Sequence, residues 1–251
     1  MPNDVTIEAG DDVAVVEFHR PPNNFFDVEL IRQVADAVDR AEGDGARAIV
    51  LCSEGKNFCA GAQIGGGDDP TKDPLTLYRE GLRLFGNEVP IVAAVQGAAV
   101  GGGLGLALVP DFRVATPETR FNCNFARLGF HQGFGASVTL PAVVGQQRAI
   151  ELLYTATQVK GEEALRIGLC DRLAAAEDLR DVAVGLASQI AANGPLAVRA
   201  MRRTMRRDLL DQVRAVTEVE GKAQLALNRT EDFAEGVRAM GERRLPLFRG
   251  R

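Results

Sequence analysis

The sequence contains few of the residues that build metal centres and disulfide frameworks. It has two histidines and four cysteines among 251 residues. The cysteines lack the C-x2-C spacing of a zinc site and are scattered as Cys52, Cys59, Cys123 and Cys170. We therefore expect free thiols in a reducing compartment and no bound metal.

Long apolar runs and a signal peptide are also missing. No run approaches the roughly 18 apolar residues of a membrane span, and Met1-Pro2-Asn3-Asp4 lacks the basic-then-apolar pattern of a signal peptide. We expect a cytoplasmic protein without a membrane partner. A net charge of −5 and sparse aromatic residues argue against a nucleic-acid partner. The absence of G-K-[ST] disfavours a nucleotide phosphate loop.

The hydrophobic content of 46% is ample for a core, in one domain or in one domain plus an appendage. A strand over Val13–Phe18, a helix capped by Asp27 and a buried strand over Ala46–Cys52 predict a parallel α/β unit. Beyond residue 193 the apolar spacing is helical throughout. We therefore divide the chain into a core, residues 1–193, and a helical C-terminal region, residues 194–251, which packs on the core or on another subunit.

A glycine-rich turn follows the apolar run Ile91–Val95. The residues Gly101-Gly102-Gly103 let the backbone approach a ligand closely. They also begin a segment of helical character, whose first N–H groups have no partner and attract negative charge. A second loop, residues 55–64, follows a predicted strand and can offer another N–H. We interpret the two loops as an anion hole; the alternative is that both are tight turns that need small residues.

Several stretches together resemble one family. Phe58-Cys59-Ala60-Gly61-Ala62, the run from Gln96-Gly97 to Gly105, Asp111-Phe112-Arg113-Val114-Ala115 and the terminal Glu242–Phe248 segment resemble the crotonase (enoyl-CoA hydratase/isomerase) superfamily. The resemblance covers nearly the whole chain in order. It implies an α/β crotonase-type spiral of repeated β-β-α units, with the C-terminal helices used to assemble a homotrimer or a dimer of trimers.

The resemblance also implies an acyl-CoA substrate and backbone oxyanion-hole donors. By motif match, the N–H groups of Ala62 and Gly102 bind the thioester oxygen. This agrees with the interpretation of the glycine turn, because a thioester enolate is the negative charge that two such donors stabilise. Coenzyme A enters as part of the substrate, and no separate cofactor is expected.

The resemblance places coenzyme A partly along residues Arg20 to Phe25 and along residues 58–64 of the second loop. The residues expected to contact it are Arg20, Asn24, Phe25, Ala60 and Ile64. Arg243 and Arg244 are candidates for its phosphates in a neighbouring subunit, although a solvated charged surface explains them equally well.

The chain departs from the family at the proton-transfer positions. Hydratases of the family use two glutamates to activate water and protonate carbon. The motif match places the first on Gly105 and the second on Phe125, neither of which transfers a proton. We therefore expect ordinary hydratase activity to be weak or absent.

Other side chains are candidates to replace the glutamates. His131 has the pKa range for acid–base work near neutrality, although a lone loop histidine is more often structural. Gln63 follows the oxyanion-hole residue and can orient a polar group of the substrate. Tyr78 and Glu80 lie on a predicted helix from which they can reach the acyl chain.

Several further residues have a structural explanation beside a functional one. Phe121, Phe125, Phe130 and Phe134 fit an apolar or aromatic acyl group or simply a core. A solvated face is expected for the arginines at positions 199, 202, 203, 206 and 207, with phosphate contact to coenzyme A and ion pairing between subunits as the alternatives. Asp111 is expected to be a structural cap or an ion-pair partner.

The leading function is an acyl-CoA enzyme of the hydratase/isomerase family that works through a thioester enolate. The alternatives are another enolate reaction (decarboxylation, C–C cleavage or thioester hydrolysis) and a non-catalytic acyl-CoA binding protein.

Overall fold

The computed structural model describes residues 4–10, 12–63 and 74–251. Within these ranges, the strands form a six-stranded and a three-stranded sheet. In spatial order, the larger sheet contains β1 (Val5–Ala9), β2 (Val13–Phe18), β3 (Ala48–Ser53), β4 (Ile91–Val95), β6 (Phe112–Ala115) and β9 (Arg172–Leu173). The smaller sheet contains β5 (Ala98–Val100), β7 (Arg120–Asn122) and β8 (Gln158–Lys160).

The helices surround these sheets and fill the C-terminal part of the chain. They are α1 (Val28–Gly43), α2 (Pro74–Gly86), α3 (Gly102–Ala107), α4 (Ala136–Val144), α5 (Gln146–Thr155), α6 (Gly161–Arg166), α7 (Leu179–Ala191), α8 (Pro195–Met205), α9 (Leu209–Leu227) and α10 (Glu231–Gly241). A short 3-10 turn spans Ala126–Leu128.

The chain winds repeatedly between the two sheets. The strand β4 belongs to the larger sheet, β5 belongs to the smaller sheet, and α3 follows; β6, β7 and the 3-10 turn repeat that order. A bridge from Cys59 to Ala99 brings the segment after β3 beside β5 in the same way. The predicted crotonase-type spiral of β-β-α units is confirmed.

The strand β3 and the helix α1 follow their sequence patterns. All six residues of β3 are buried, because Ile49 and Leu51 face one apolar cluster while Ala48 and Val50 face another. The carboxylate of Asp27 accepts a hydrogen bond from the Leu30 N–H at 2.9 Å and caps α1. The predictions of a two-sided buried strand and of an Asp27 cap are confirmed.

Several elements carry no prediction from the sequence, among them β1 and α7. The strand β1 pairs antiparallel with β2. The alternation of the more buried Val5 and Ile7 with the exposed Thr6 and Glu8 spans only four residues, which is a weak signal on its own. The helix α7 covers the second face of the larger sheet with Ala183, Leu186 and Ala187. Alanine side chains give only a weak apolar periodicity. The helix α7 therefore becomes evident only from the sheet against which it packs.

The C-terminal helices fold onto the rest of the chain. The helix α9 packs against α2 and α4, and α10 packs against the 3-10 turn. The helix α8 has no buried apolar residue in this single chain, and it is attached by charged side chains, among which that of Arg202 is 8% exposed. No helix in the described ranges combines the length and hydropathy of a bilayer span.

The attachment of α8 is a buried ion-pair cluster, which we call the seam: Asp111, Arg202, Arg206 and Asn87. Asp111 accepts from Arg202 Nε at 3.0 Å and from Arg206 Nη1 at 2.8 Å. Arg202 also donates to the Asn87 carbonyl. The predicted solvated face is therefore wrong for Arg202 and Arg206, whereas the ion-pair interpretation of Asp111 is confirmed.

Candidate active site

A cavity of about 400 Å³ opens beside the glycine turn. Its walls come from the loop after β3, the starts of α1 and α3, the helix α2, residues 124–134, and the helices α9 and α10. Most of the lining side chains are apolar: Phe26, Val28, Leu77, Phe125, Leu128, Phe130, Phe134 and Phe233. The cavity therefore suits an apolar or aromatic group.

One free backbone donor comes from Ala62. The Phe26 N–H donates to the Gly61 carbonyl at 3.0 Å, and the Gln63 N–H donates to the Phe26 carbonyl at 2.8 Å. In such a parallel bridge the amide of the central residue points to the opposite side. Ala62 lines the cavity, and its N–H has no acceptor within the described part of the chain.

The second free donor comes from Gly102, the first residue of α3. Its N–H has no helical partner, since the first amides of a helix never have one. The preceding Gly101 has φ +55° and donates to the Asn122 carbonyl at 2.8 Å, which fixes the turn. A methyl group added to Gly102 would lie 3.6 Å from the Ala62 nitrogen. The two free amides are therefore neighbours on one cavity wall.

The space beside Gly105 is filled. A methyl group added there would lie 2.7 Å from Phe134 Cβ, which is too close for two carbons. The Phe134 ring packs 5.5 Å from the Phe26 ring and 6.4 Å from the Tyr78 ring, measured between centroids. An aromatic wall thus occupies the place of the first expected glutamate, and Phe125, at the second, is itself a lining residue.

A glutamate from α9 holds the turn that carries Phe134. The fully buried Glu220 carboxylate accepts from the Gly135 N–H and the Ser137 N–H, both at 2.9 Å. Burial raises the pKa of Glu220 above its ordinary value, against the effect of these hydrogen bonds. This carboxylate is committed to the start of α4 and is not a lining residue of the cavity.

Among the described lining residues, the ionisable side chains are Asp27 and Tyr78. Burial raises the pKa of Asp27, but the hydrogen bonds from Leu30 and Arg20 outweigh it and hold that pKa below its usual value. Burial raises the pKa of Tyr78, and nearby Glu220 raises it further. Asp27 therefore stays ionised and Tyr78 stays neutral around pH 7.

Comparisons with known proteins agree with this geometry. Residues 8–251 match the model of the enoyl-CoA hydratase/isomerase family. The chain belongs to this family. It is 31% identical to the short-chain-enoyl-CoA hydratase of Clostridium acetobutylicum, over 96% of each chain. It is 33% identical to the (E)-benzylidenesuccinyl-CoA hydratase of Thauera aromatica, over 98% of this chain and 99% of that one.

Solved structures show the same family. The crystal structure of an enoyl-CoA hydratase/isomerase from Pseudoalteromonas atlantica is similar to this chain with a TM-score of 0.87 and 28% identity, over 98% of this chain and 100% of that one. The predicted membership of the family is confirmed. The absence of two catalytic glutamates stays a prediction.

The candidates for acid–base chemistry lie in different places. Gln63 is an exposed lining residue at the cavity mouth. His131 is half-buried, is not a lining residue, and its Nδ1 lies 2.7 Å from the Gln132 carbonyl. Glu80 pairs with Arg83 at 3.0 Å and does not line the cavity. The structure thus brings Gln63 and Tyr78 to the cavity and leaves His131 and Glu80 outside its wall.

Only some of the residues expected to contact coenzyme A line the cavity. Phe25 and Ala60 line the cavity, whereas Ile64 lies outside the described residues. Arg20 pairs with Asp4 and Asp27 at 2.6 and 2.7 Å. Its guanidinium contributes to the loop structure, and it is not a lining residue.

Asn24 has a structural role. Its side chain is buried and accepts from the Arg20 N–H, while Nδ2 donates to the Glu54 and Asn57 carbonyls, each bond at 2.8 Å. These partners leave it little capacity to bind coenzyme A. Arg244 pairs with Glu235 and Glu242 of its own chain.

Sequence reasoning missed the polar residues that α9 contributes. Gln224 and Asn228 line the cavity with Leu225 between them. Their spacing of four places both amides on one helical face. That spacing is visible in the sequence, but only the packing of α9 against α2 shows that this face meets the cavity. Phe121, by contrast, belongs to the core and is not a lining residue.

Proposed function

We propose that the chain binds an acyl-CoA thioester with its carbonyl oxygen between the N–H groups of Ala62 and Gly102, and that it stabilises the enolate of that thioester. The observation that carries the proposal is the presence, on one wall of an apolar cavity, of two amides that have no acceptor among the described residues. Membership of the enoyl-CoA hydratase/isomerase family and the relatives' names, which refer to acyl-CoA substrates, support it.

Two fixed donors favour the enolate over the neutral thioester. Negative charge develops on the oxygen as the enolate forms, and amides that already point at it need no reorganisation. The cavity is lined mostly by apolar side chains, so each hydrogen bond acts in a low-dielectric environment and is stronger than in water. The site can therefore promote reactions that pass through an enolate.

Hydration is not the proposed reaction. It needs groups that activate water and protonate carbon. Gly105 and Phe125 carry no such group, and the Asp27 carboxylate is held by Leu30 and Arg20. The chain thus belongs to the same family as relatives whose names refer to hydration, but the reaction proposed for it is not hydration.

Among the alternative enolate reactions, decarboxylation requires the fewest proton-transfer side chains. The bond between the α-carbon and a carboxylate breaks, its electron pair forms the enolate, CO₂ leaves, and water supplies the proton to carbon. Thioester hydrolysis, by contrast, needs a base to activate water. C–C cleavage of a hydroxyacyl chain likewise needs a base, which accepts the hydroxyl proton. A non-catalytic acyl-CoA binding protein is the second candidate, because neither Asp27 nor Tyr78 has its side chain free for proton transfer.

The test combines binding and turnover on one sample. Purified protein is titrated with crotonyl-CoA by calorimetry, and loss of the conjugated thioester absorbance is followed in parallel. We expect binding without rapid hydration. Rapid hydration would show that other residues supply the protons, whereas no binding of this ligand or of longer acyl-CoA thioesters would contradict the proposal. A malonyl-type thioester on the same sample separates decarboxylation from binding alone.

We also propose that the chain assembles as a homotrimer or a dimer of trimers. Several large apolar side chains of the C-terminal region are exposed in the single chain: Leu196, Met201, Met205, Leu245 and Leu247. Large apolar side chains that a single chain leaves exposed are often covered by a partner subunit. Light scattering coupled to size-exclusion chromatography tests this, and a monomer at micromolar concentration would contradict it.

A further inference from the structure

The side chain of Asn124, on the cavity wall, has no partner within the described part of the chain. The residue follows β7 and is half-buried. Its backbone carbonyl accepts from the Leu128 N–H at 3.2 Å and holds the turn. The side-chain amide is left with its own donor and acceptor capacity, and nothing in the proposed enolate chemistry uses it.

The other polar side chains of the described wall are either engaged or exposed. Three of them form hydrogen bonds within the chain: Asp27, Tyr78 and Gln224. Two of them are exposed: Gln63 and Asn228. Among the lining residues that the structure describes, Asn124 is therefore the polar side chain that is sheltered from solvent and still free to bind a ligand.

The amide of Asn124 is open to the cavity. Among the described residues that are not exposed, the fully enclosed side-chain polar atom without a partner is Asn122 Oδ1. The polar atoms of Asn124 have no partner either, so they must border open space. Since Asn124 lines the cavity, a ligand in the cavity can reach them.

The amide lies beside the turn that presents the Gly102 N–H. A methyl group added to Gly101 would lie 2.8 Å from Asn124 Oδ1. Standard bond lengths then keep this oxygen within about 7 Å of the Gly102 nitrogen. The outer torsion of an asparagine side chain has a broad, roughly two-fold distribution. Because no hydrogen bond fixes that torsion here, Nδ2 can turn toward a ligand whose thioester oxygen is bound to Gly102.

An unpaired amide in this wall selects for an oxygen acceptor. Its neighbours on the wall include the apolar side chains of Val100, Phe125 and Leu128. A ligand that fills the cavity displaces water from the amide, which is costly unless the ligand supplies a new hydrogen bond. An oxygen on the carbon bonded to the α-carbon is separated from the thioester oxygen by three carbon atoms, which suits two donors this close together.

We propose that Asn124 is a specificity-determining residue that donates a hydrogen bond from Nδ2 to a second acyl oxygen of the substrate. The substrate class is then a thioester with an oxygen acceptor on the carbon bonded to its α-carbon, as in acetoacetyl-type and malonyl-type groups. This inference rests on the proposed function, since it assumes that Ala62 and Gly102 hold the thioester oxygen.

The test compares two ligands of equal chain length that differ by one keto group. Calorimetry measures the dissociation constants of acetoacetyl-CoA and butanoyl-CoA for the wild type and for Asn124→Leu. We expect the wild type to bind acetoacetyl-CoA more tightly than butanoyl-CoA. Asn124→Leu should weaken acetoacetyl-CoA binding about tenfold, because one hydrogen bond is lost. Its affinity for butanoyl-CoA should stay within about threefold of the wild-type value, which also shows that the cavity is folded.

Two further variants sharpen the test. Asn124→Asp keeps the shape of the side chain but replaces the donor by a carboxylate that only accepts, so it should weaken acetoacetyl-CoA binding at least as much as Asn124→Leu. Asn228→Leu is the matched control, since it removes an exposed asparagine from the same wall. It should keep the preference between the two ligands within about twofold.

The outcomes separate the role of Asn124 from the proposed function. A wild-type preference in both Asn124 variants, equal wild-type affinity for the two ligands, or an equal loss of preference in Asn228→Leu overturns the role of Asn124. The enolate absorbance of bound acetoacetyl-CoA reports on the proposed function in each of these cases. No binding of either ligand or of longer acyl-CoA thioesters by the wild type overturns both.

Discussion

The cavity and the seam use opposite kinds of interaction. The cavity is lined mostly by apolar side chains and offers two backbone amides, from Ala62 and Gly102, to a ligand. The seam buries a carboxylate between two guanidinium groups, with Asp111 at 14% and Arg202 at 8% exposure of their side chains. Charge is thus concentrated where the C-terminal helices attach and is sparse where the ligand is proposed to bind.

This difference fits the proposed function: ionised side chains attach α8 to the rest of the chain, whereas the cavity offers uncharged backbone donors. A buried charge is tolerated only with partners, and Asp111 has two arginines and the Ile91 N–H. A cavity that must stabilise a developing oxyanion gains from a low dielectric and from donors that carry no charge of their own. Glu220, the buried carboxylate nearest Tyr78 in this region, caps α4 instead.

Removing the carboxylate of the seam should have the largest effect. Asp111→Asn leaves Arg202 and Arg206 buried without a counter-charge, so we expect about 3–5 kcal/mol of destabilisation, measured by urea unfolding. Glu163→Gln, which breaks an exposed pair with Arg166, is the matched control and should leave the midpoint unchanged. Equal midpoints for the two variants would contradict the description of the seam.

The same carboxylate should make stability depend on pH. Burial raises the pKa of Asp111, but Arg202 and Arg206 outweigh it and lower that pKa below its usual value. The stabilisation is therefore complete above the pKa of an unfolded aspartate, about 3.9, and is lost as the pH falls through the folded value. The stability difference between wild type and Asp111→Asn should accordingly narrow below about pH 4.

Blocking the oxyanion hole should have the next largest effect. In Gly102→Ala the new methyl would lie 2.6 Å from the Phe26 ring, so the ring or the start of α3 must move and the two amides no longer converge. We expect affinity for the enolate of acetoacetyl-CoA to fall about 100-fold or more, as on loss of one oxyanion donor. Gly185→Ala, a helical position with no atom within 4 Å of the new methyl, should bind like the wild type.

Restoring a glutamate should not restore hydration. Gly105→Glu forces a side chain against Phe134 Cβ at 2.7 Å, so we expect about 1–3 kcal/mol of destabilisation from overpacking and no gain in crotonyl-CoA hydration. Gly185→Glu controls for the added charge. Hydration by a stable Gly105→Glu variant would show that the Phe134 wall yields and would contradict the description of position 105 as closed.

The smallest effects are those that pH and the replacement of His131 are expected to have on ligand binding. The lining side chains Asp27 and Tyr78 have pKa values shifted away from neutrality in opposite directions, and His131 is not a lining residue. Binding of 3-phenylpropanoyl-CoA, whose acyl group does not ionise, should therefore be constant between about pH 6 and 8. His131→Ala should change its dissociation constant less than twofold. A pH-dependent change in binding that His131→Ala abolishes would place this histidine in the site.

A parallel α/β unit and two loops of small residues after strands could be predicted from local sequence, whereas the spiral of β-β-α units is implied only by the resemblance to the family. The cap at Asp27, the run Ile91–Val95 and the glycines before α3 each carry a local signal for their structure. The polar groups of the cavity could not be predicted in this way. The role of Gln224 depends on the packing of α9 against α2, and Arg202 becomes buried only because Asp111, distant in sequence, lies beside it.

Residue type also misled where a side chain has two plausible uses. Asn24 and His131 are polar residues in segments near the cavity; the resemblance favours a binding role for Asn24, and residue type leaves both a binding and a structural role open for His131. Hydrogen bonds decide between them: Asn24 is saturated by its own loop, and His131 Nδ1 lies against the Gln132 carbonyl. Such choices depend on three-dimensional partners that spacing alone does not reveal.

The most direct test of the central claim uses acetoacetyl-CoA, a β-keto thioester whose enolate absorbs in the ultraviolet. If the Ala62 and Gly102 amides stabilise a thioester enolate, titrating this ligand with protein at neutral pH should increase the enolate absorbance above that of the free ligand, and the increase should saturate with binding. Saturable binding of acetoacetyl-CoA with the enolate absorbance of the free ligand would contradict the account.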